Sequence, residues 1–356
     1  MSRHYFAGAN TPKGFFSHFD SILPLSDIKR KIYIKGGSGS GKSTLMKKTA
    51  EAFEKSGFTA EYFHCSNDAE SLDGVNITER GIAVVDATSP HPADPQLPGV
   101  KDEIFNTAEF LDSAFLKENK ENLTEWFTEK KALYQRAYGY LYAANQIYRL
   151  NERIYNSAIN TKALNELILG ILQIFDGAKS ADASNRKLFA TAITPDGVKS
   201  LVASALRAEK TYILSGFGAM GITELLESVQ RHASLHGFNT ISFKSPLNPA
   251  ETEHLHIPAL DTAFITSNNY HRYSGDGESM NFEEFMNPAA LGSSKNEIEY
   301  NNGIFDELLK KSISTMAASK SVHARIEEIY SEAMDFKRMN RAYERILEEI
   351  LPNQCE

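Results

Sequence analysis

Residues 3–23 (RHYFAGANTPKGFFSHFDSIL) and 186–206 (RKLFATAITPDGVKSLVASAL) are two versions of one segment, identical at ten of 21 positions without a gap. The shared Thr-Pro-x-Gly makes coincidence a poor account of the match. The likeness resumes at an offset of 180, where Gly36 meets Gly216, Gly41 meets Gly221, Leu45 meets Leu225 and Phe63 meets Phe243, and it holds as far as His91 and His271. A fainter echo at an offset of 175 sets Ile154-Tyr155, Ala158, Lys162 and Asn165 against Ile329-Tyr330, Ala333, Lys337 and Asn340. A chain that repeats itself at this scale is expected to fold as two similar units. The Gly/Ala/Ser/Asp-rich stretch 177–185 reads as the linker. This gives a first domain over 1–180 and a second over 186–356, each ending in helices.

Both halves present the same succession of patterns. Short apolar runs at 5–9, 31–35, 60–64 and 82–86 read as strands, and so do their partners at 188–192, 212–214, 240–244 and 263–266. A helical pattern follows the second run of each half and stops near Gly57 or Gly237, where glycine suits a helix end. Strands alternating with helices of this length predict an α/β fold, a parallel sheet covered on both faces in each half. The segments 123–175 and 303–351 carry apolar residues at three- and four-residue spacing and read as long helices. Tyr134, Tyr138, Tyr148 and Tyr155 mark the first of these, an aromatic stripe expected to serve core packing.

The most specific motif lies between the second strand and the first helix. Gly36-Gly37-Ser38-Gly39-Ser40-Gly41-Lys42-Ser43, followed by Thr44, fits G-x-x-x-x-G-K-[ST]. Glycines let the backbone curl until several N–H groups face one anion, and the helix N-terminus adds positive potential. Lys42 is then expected on the β- and γ-phosphates of ATP or GTP, and the Ser43 hydroxyl on Mg²⁺. The second copy, Gly216-Phe217-Gly218-Ala219-Met220-Gly221-Ile222-Thr223, keeps the framing glycines and loses the lysine. One competent site per chain is therefore expected. Ile82-Ala83-Val84-Val85-Asp86 has the form of a strand that ends in the carboxylate holding Mg²⁺. Its partner in the second copy is Thr266, so lysine and aspartate are lost together. Ala87 follows where many ATP hydrolases of this class carry a catalytic glutamate, which leaves the general base unassigned.

Further candidates are weaker. His91 recurs as His271, which favours a shared structural turn over a base or γ-phosphate sensor. His64, Asp68 and Asp94 are candidates for chemistry on the acceptor side. Arg272 is a candidate for neutralising charge on the γ-phosphate. The pairs Lys47-Lys48, Lys130-Lys131 and Lys310-Lys311 sit in mixed-charge stretches and read as solvated helix faces.

The strings GGSGSGKSTLMKK, VVDATSPHPADPQLPG, FAxAxTPxG and EHLHIPAL resemble a bacterial, Firmicutes-type family of tandem-duplicated P-loop ATPase-like proteins, over nearly the whole chain. The resemblance implies a P-loop NTPase fold in both halves and nucleotide binding at residues 36–43. It implies no substrate.

A net charge of -8 without a basic stripe argues against a nucleic-acid motor. Cys65 and Cys355 are too few for a disulfide framework or a zinc cluster. No signal peptide or membrane-length apolar stretch is visible, so a cytoplasmic protein is expected. The leading expectation is a Mg²⁺-dependent ATPase or small-molecule phosphotransferase. The alternative is a non-catalytic, nucleotide-gated module whose degenerate half presents a surface to a partner.

Overall fold

The computed structural model describes residues 2–22, 28–89, 93–181 and 183–351. The first half contains β1 (Arg3–Phe6), β2 (Gly8–Thr11), β3 (Gly14–Ser17), β4 (Arg30–Lys35), α1 (Lys42–Lys55), β5 (Glu61–His64), β6 (Leu72–Ile77), β7 (Ile82–Asp86), β8 (Asp102–Asn106), α2 (Ser113–Glu118), α3 (Lys120–Ala158) and α4 (Thr161–Leu172). The second contains β9 (Asn185–Leu188), β10 (Thr191–Thr194), β11 (Gly197–Ser200), α5 (Val202–Ala205), β12 (Lys210–Ser215), α6 (Ile222–Leu235), β13 (Thr240–Lys244), β14 (Thr252–Ile257), β15 (Thr262–Ser267), β16 (Glu278–Asn281), α7 (Pro288–Glu332) and α8 (Phe336–Ile350).

Two six-stranded sheets result, ordered β1-β5-β6-β7-β4-β8 and β9-β13-β14-β15-β12-β16, the same order strand for strand. Neither is all-parallel, which corrects the sequence expectation. β6 runs antiparallel to β5 and β7, and β14 antiparallel to β13 and β15. The reason is connection length. Only residues 65–71 join β5 to β6, too few for the crossover a parallel pair needs. β3, β6, β8, β11, β14 and β16 are the strands that sequence patterning missed. The Thr-Pro-x-Gly motifs close the hairpins β2/β3 and β10/β11. Thr11 Oγ1 donates to the Gly14 carbonyl at 2.6 Å and Thr194 Oγ1 to the Gly197 carbonyl at 2.8 Å, so both hydroxyls are used in their turns.

The compact units differ from the sequence halves. The first comprises residues 1–8, 17–137 and 314–356, and the second residues 9–16 and 138–313. Each sheet is thus covered by the terminal helix of the other half. In the first unit, Met339, Tyr343 and Ile350 of α8 share a core with Ile32 and Ile34 of β4 and with Leu45, Met46, Ala50 and Phe53 of α1. In the second, Leu164, Ile168 and Ile171 of α4 join Leu225, Leu226 and Val229 of α6. The amphipathic face of a helix dictates that it must be buried, without dictating on which sheet. Among the described residues, no helix is long and apolar enough to cross a membrane.

One buried contact fixes α8 on α1. The Tyr343 hydroxyl lies 2.7 Å from Thr49 Oγ1, which also lies 3.0 Å from the Leu45 carbonyl. Thr49 can donate to Leu45 and accept from Tyr343, so a Tyr343→Phe variant leaves the threonine with its own acceptor. The expected loss is about 1 kcal/mol, read as a lower urea midpoint at unchanged slope.

Candidate functional site

β4 leads straight into the glycine loop. Gly41 adopts φ 81° at the N-cap of α1 and supplies no side chain to cap the first turn. The Lys42 ammonium donates to the carbonyls of Gly36 and Gly37, at 3.0 and 2.8 Å. It also lies 3.6 Å from Asp86 Oδ2. Ser40 Oγ donates to the Gly37 carbonyl at 2.8 Å. Thr88 Oγ1 accepts from the Gly36 N–H at 3.1 Å and donates to the Gly36 carbonyl at 3.0 Å, which ties the end of β7 to the start of the loop. Ser43 Oγ accepts from the Leu72 N–H at 3.0 Å and keeps its own proton free to donate.

Two carboxylates share the floor. Asp86 accepts from the Thr88 N–H at 2.8 Å. Burial pushes its pKa up, the Lys42 ammonium opposes the rise, and the charge of Asp73 adds to it. Asp73, on β6, is only 2% exposed. Sequence reasoning passed over it because its strand went unrecognised.

These groups open onto a cleft of about 510 Å³ in the first unit. Lys42, Ser43, Asp68, Asp73, Asp86 and Thr88 are among its lining residues. Lys130 and Tyr134 of α3 line it too, with Ser319, Lys320, His323, Glu327 and Ser331 of α7. Lys130 is therefore not the solvated residue its neighbourhood suggested. Its Nζ lies 2.8 Å from His323 Nδ1. Ser331 Oγ donates to the Gly39 carbonyl at 3.1 Å and seats α7 on the loop.

The remaining candidates are dispersed. Asp68 lines the cleft but accepts from Ser71 Oγ at 2.6 Å. His64 is outside the lining; its Nδ1 lies 2.7 Å from the Ala69 carbonyl and its Nε2 2.9 Å from His4 Nδ1. Asp94 is exposed and pairs with Lys35 at 2.6 Å. Arg272 is an exposed residue of the second unit. His91 lies outside the described residues. Cys65 lines the cleft, and burial pushes its thiol pKa well up, away from nucleophilic use.

In the second unit the equivalent loop is filled with apolar side chains. Met220 and Ile222 are buried in the core, and a Cβ on Gly221 would stand 2.6 Å from Leu164 Cδ2. Phe217 stacks on Tyr155 with ring centroids 5.7 Å apart.

Glu253, His254 and His271 come together nearby with their ligand atoms within 4.8 Å of one another. His254 Nδ1 accepts from the Thr266 N–H at 3.0 Å, so the neutral ring carries its proton on Nε2, 3.5 Å from Glu253 Oε2. Burial alone would raise the Glu253 pKa, but His271, His254 and the Thr191 hydroxyl bring it down to about 2.

Searches of protein-family models, curated proteins and solved structures returned no match to this chain.

Proposed function

We propose that the chain binds a nucleoside triphosphate, ATP or GTP, with Mg²⁺ at the cleft of the first unit, and either hydrolyses it or passes its terminal phosphoryl group to a small acceptor. One observation carries this reading. A glycine loop, an uncapped helix N-terminus, the Lys42 ammonium, the Ser43 hydroxyl and two neighbouring carboxylates converge on one cleft of about 510 Å³, within the size range of ligand sites. Loop amides and Lys42 suit the phosphates. The donor set also suits a hard divalent cation: burial and the neighbouring charge of Asp73 raise the cost of ionising Asp86, which such an ion relieves. Ser43 and Asp86 would hold it. When bound, it would neutralise charge on the phosphate oxygens. The chain's own residues orient the triphosphate and hold counter-charge around it.

The nucleotide-gated reading has one observation in its favour. α7 and α8 rest on the loop itself, with Ser331 bonded to Gly39 and Tyr330 against Gly37. A change of loop shape on binding would be passed to these helices. Turnover separates the two readings, and the test is steady phosphate release with Mg²⁺ and ATP or GTP. Many turnovers per chain support the enzyme, and tight binding without release supports the switch. If the enzyme reading holds, Asp86→Asn should keep nucleotide affinity within a few-fold while slowing turnover on the order of 10²-fold. Unchanged turnover would remove Asp86 from the site.

A further inference from the structure

Lys130 stands on α3 in a stretch dense with charge, yet it is turned into the cleft and only partly exposed. A lysine ammonium can only donate, so His323 Nδ1 accepts from it across 2.8 Å. The neutral ring then carries its proton on Nε2, which lies 3.4 Å from Glu327 Oε1. Hydrogen bonding from His323 holds the Glu327 carboxyl below its ordinary pKa, as an anion. The result is a directed chain from carboxylate to imidazole to ammonium. His323, Glu327 and Ser331 are spaced four apart and so share one face of α7. Ser331 fixes that face on the loop through its bond to Gly39.

The two units provide an internal control. At the offset of 180, Lys42 and Asp86 are replaced by Ile222 and Thr266. At the offset of 175, Lys130 and His323 are replaced by Phe305 and Tyr148. Those two rings meet in the second unit with centroids 5.6 Å apart. An aromatic pair therefore suffices to join the helices at this level. The polar pair is present only in the unit whose loop keeps its lysine. Glu327 has Glu152 as its counterpart, and without a histidine partner burial raises that carboxyl to about 7.

We propose that Lys130, steadied by His323 and Glu327, is a second phosphate-binding cation, placed to take the terminal phosphate of the nucleotide held at residues 36–43. The proposal rests on the nucleotide-binding reading above. Its physical sense lies in the charges. Burial lowers the Lys130 pKa, Glu327 opposes the lowering, and the Lys42 ammonium adds to it. Two ammonium groups facing one cleft repel each other, and a polyanion between them relieves both. Lys42 reaches the phosphates from the loop. A contact from α3 selects for the outermost phosphate, the one that distinguishes a triphosphate from a diphosphate. His323 and Glu327 act through Lys130 as positioning residues.

The test compares ATP and ADP affinities, with Mg²⁺, for the intact chain, Lys130→Met, Lys130→Arg, His323→Asn and Lys42→Ala. Expected are a roughly tenfold to hundredfold loss of ATP affinity in Lys130→Met with ADP affinity within twofold, and partial recovery of the ATP preference in Lys130→Arg. His323→Asn should show a smaller loss of the same preference. A purely structural role would weaken both nucleotides alike. An intact chain that binds ATP in a Lys42-dependent way, with an ATP-to-ADP ratio unmoved by Lys130→Met, would overturn this proposal and spare the nucleotide reading. An intact chain that binds neither nucleotide would overturn both.

Discussion

A Lys42→Ala chain is expected to lose ATP binding by 10²-fold or more, on the order of two charge-assisted contacts at roughly 1.5–3 kcal/mol each. The side chain has two functions in the structure, and alanine ends both. Its ammonium bridges the carbonyls of Gly36 and Gly37, which ties the start of the loop to the first turn of α1. It is also the cation nearest to Asp86, at 3.6 Å. Without it, burial and Asp73 push the Asp86 carboxyl further up, so on the proposed nucleotide reading the site would lose a phosphate ligand and part of its metal-binding charge together. Ile222 shows what this position becomes without lysine, a core residue beside Met220. Titration of ATP into both forms by calorimetry reads the effect. Equal affinity would place the nucleotide elsewhere or nowhere. Little change in melting temperature is expected, because the lysine is tied only to loop carbonyls and a neighbouring acid.

Much of this architecture was legible in the repeats. The offset of 180 aligns β4 with β12, β7 with β15 and the two glycine loops, and the two sheets have the same strand order. The glycine loop stood out through residue types at fixed spacing and Asp86 through its place at the end of an apolar strand, and the structure brings both to one cleft. What escaped notice escaped for physical reasons. β6 carries Asp73, Gly74 and Asn76, all buried, and so lacks the apolar run that marks a strand. α8 announces a buried face through Met339, Tyr343 and Ile350, but only the tertiary structure shows that this face covers the first sheet. Lys130 looked like any helix-surface lysine. The one available signal was the offset of 175, which sets it against Phe305, a core residue 1% exposed.

Gly39→Ala is expected to destabilise the first unit far more than Gly57→Ala, although both glycines have left-handed backbone, with φ 73° and 87°. The shared conformation costs any other residue about 1 kcal/mol. The surroundings differ. A Cβ at Gly57 meets no atom within 4 Å, whereas one at Gly39 would stand 2.6 Å from the Glu327 carbonyl oxygen and 3.1 Å from Glu327 Cα. Those are backbone atoms of α7, so no rotamer change makes room. Either the helix lifts from the loop or the loop gives up its bond from Ser331. Overpacking of this kind adds roughly 1–3 kcal/mol, and a unit of this size loses about 2–4 °C of melting temperature per kcal/mol. Hydrogen exchange gives the local reading. Amides around residues 323–331 should exchange faster in Gly39→Ala and stay protected in Gly57→Ala. Because His323 and Glu327 lie on the displaced segment, the first variant should also weaken any preference for ATP over ADP. Equal melting losses and equal protection in the two variants would mean that α7 does not bear on the loop, and the support it lends to Lys130 would go with it.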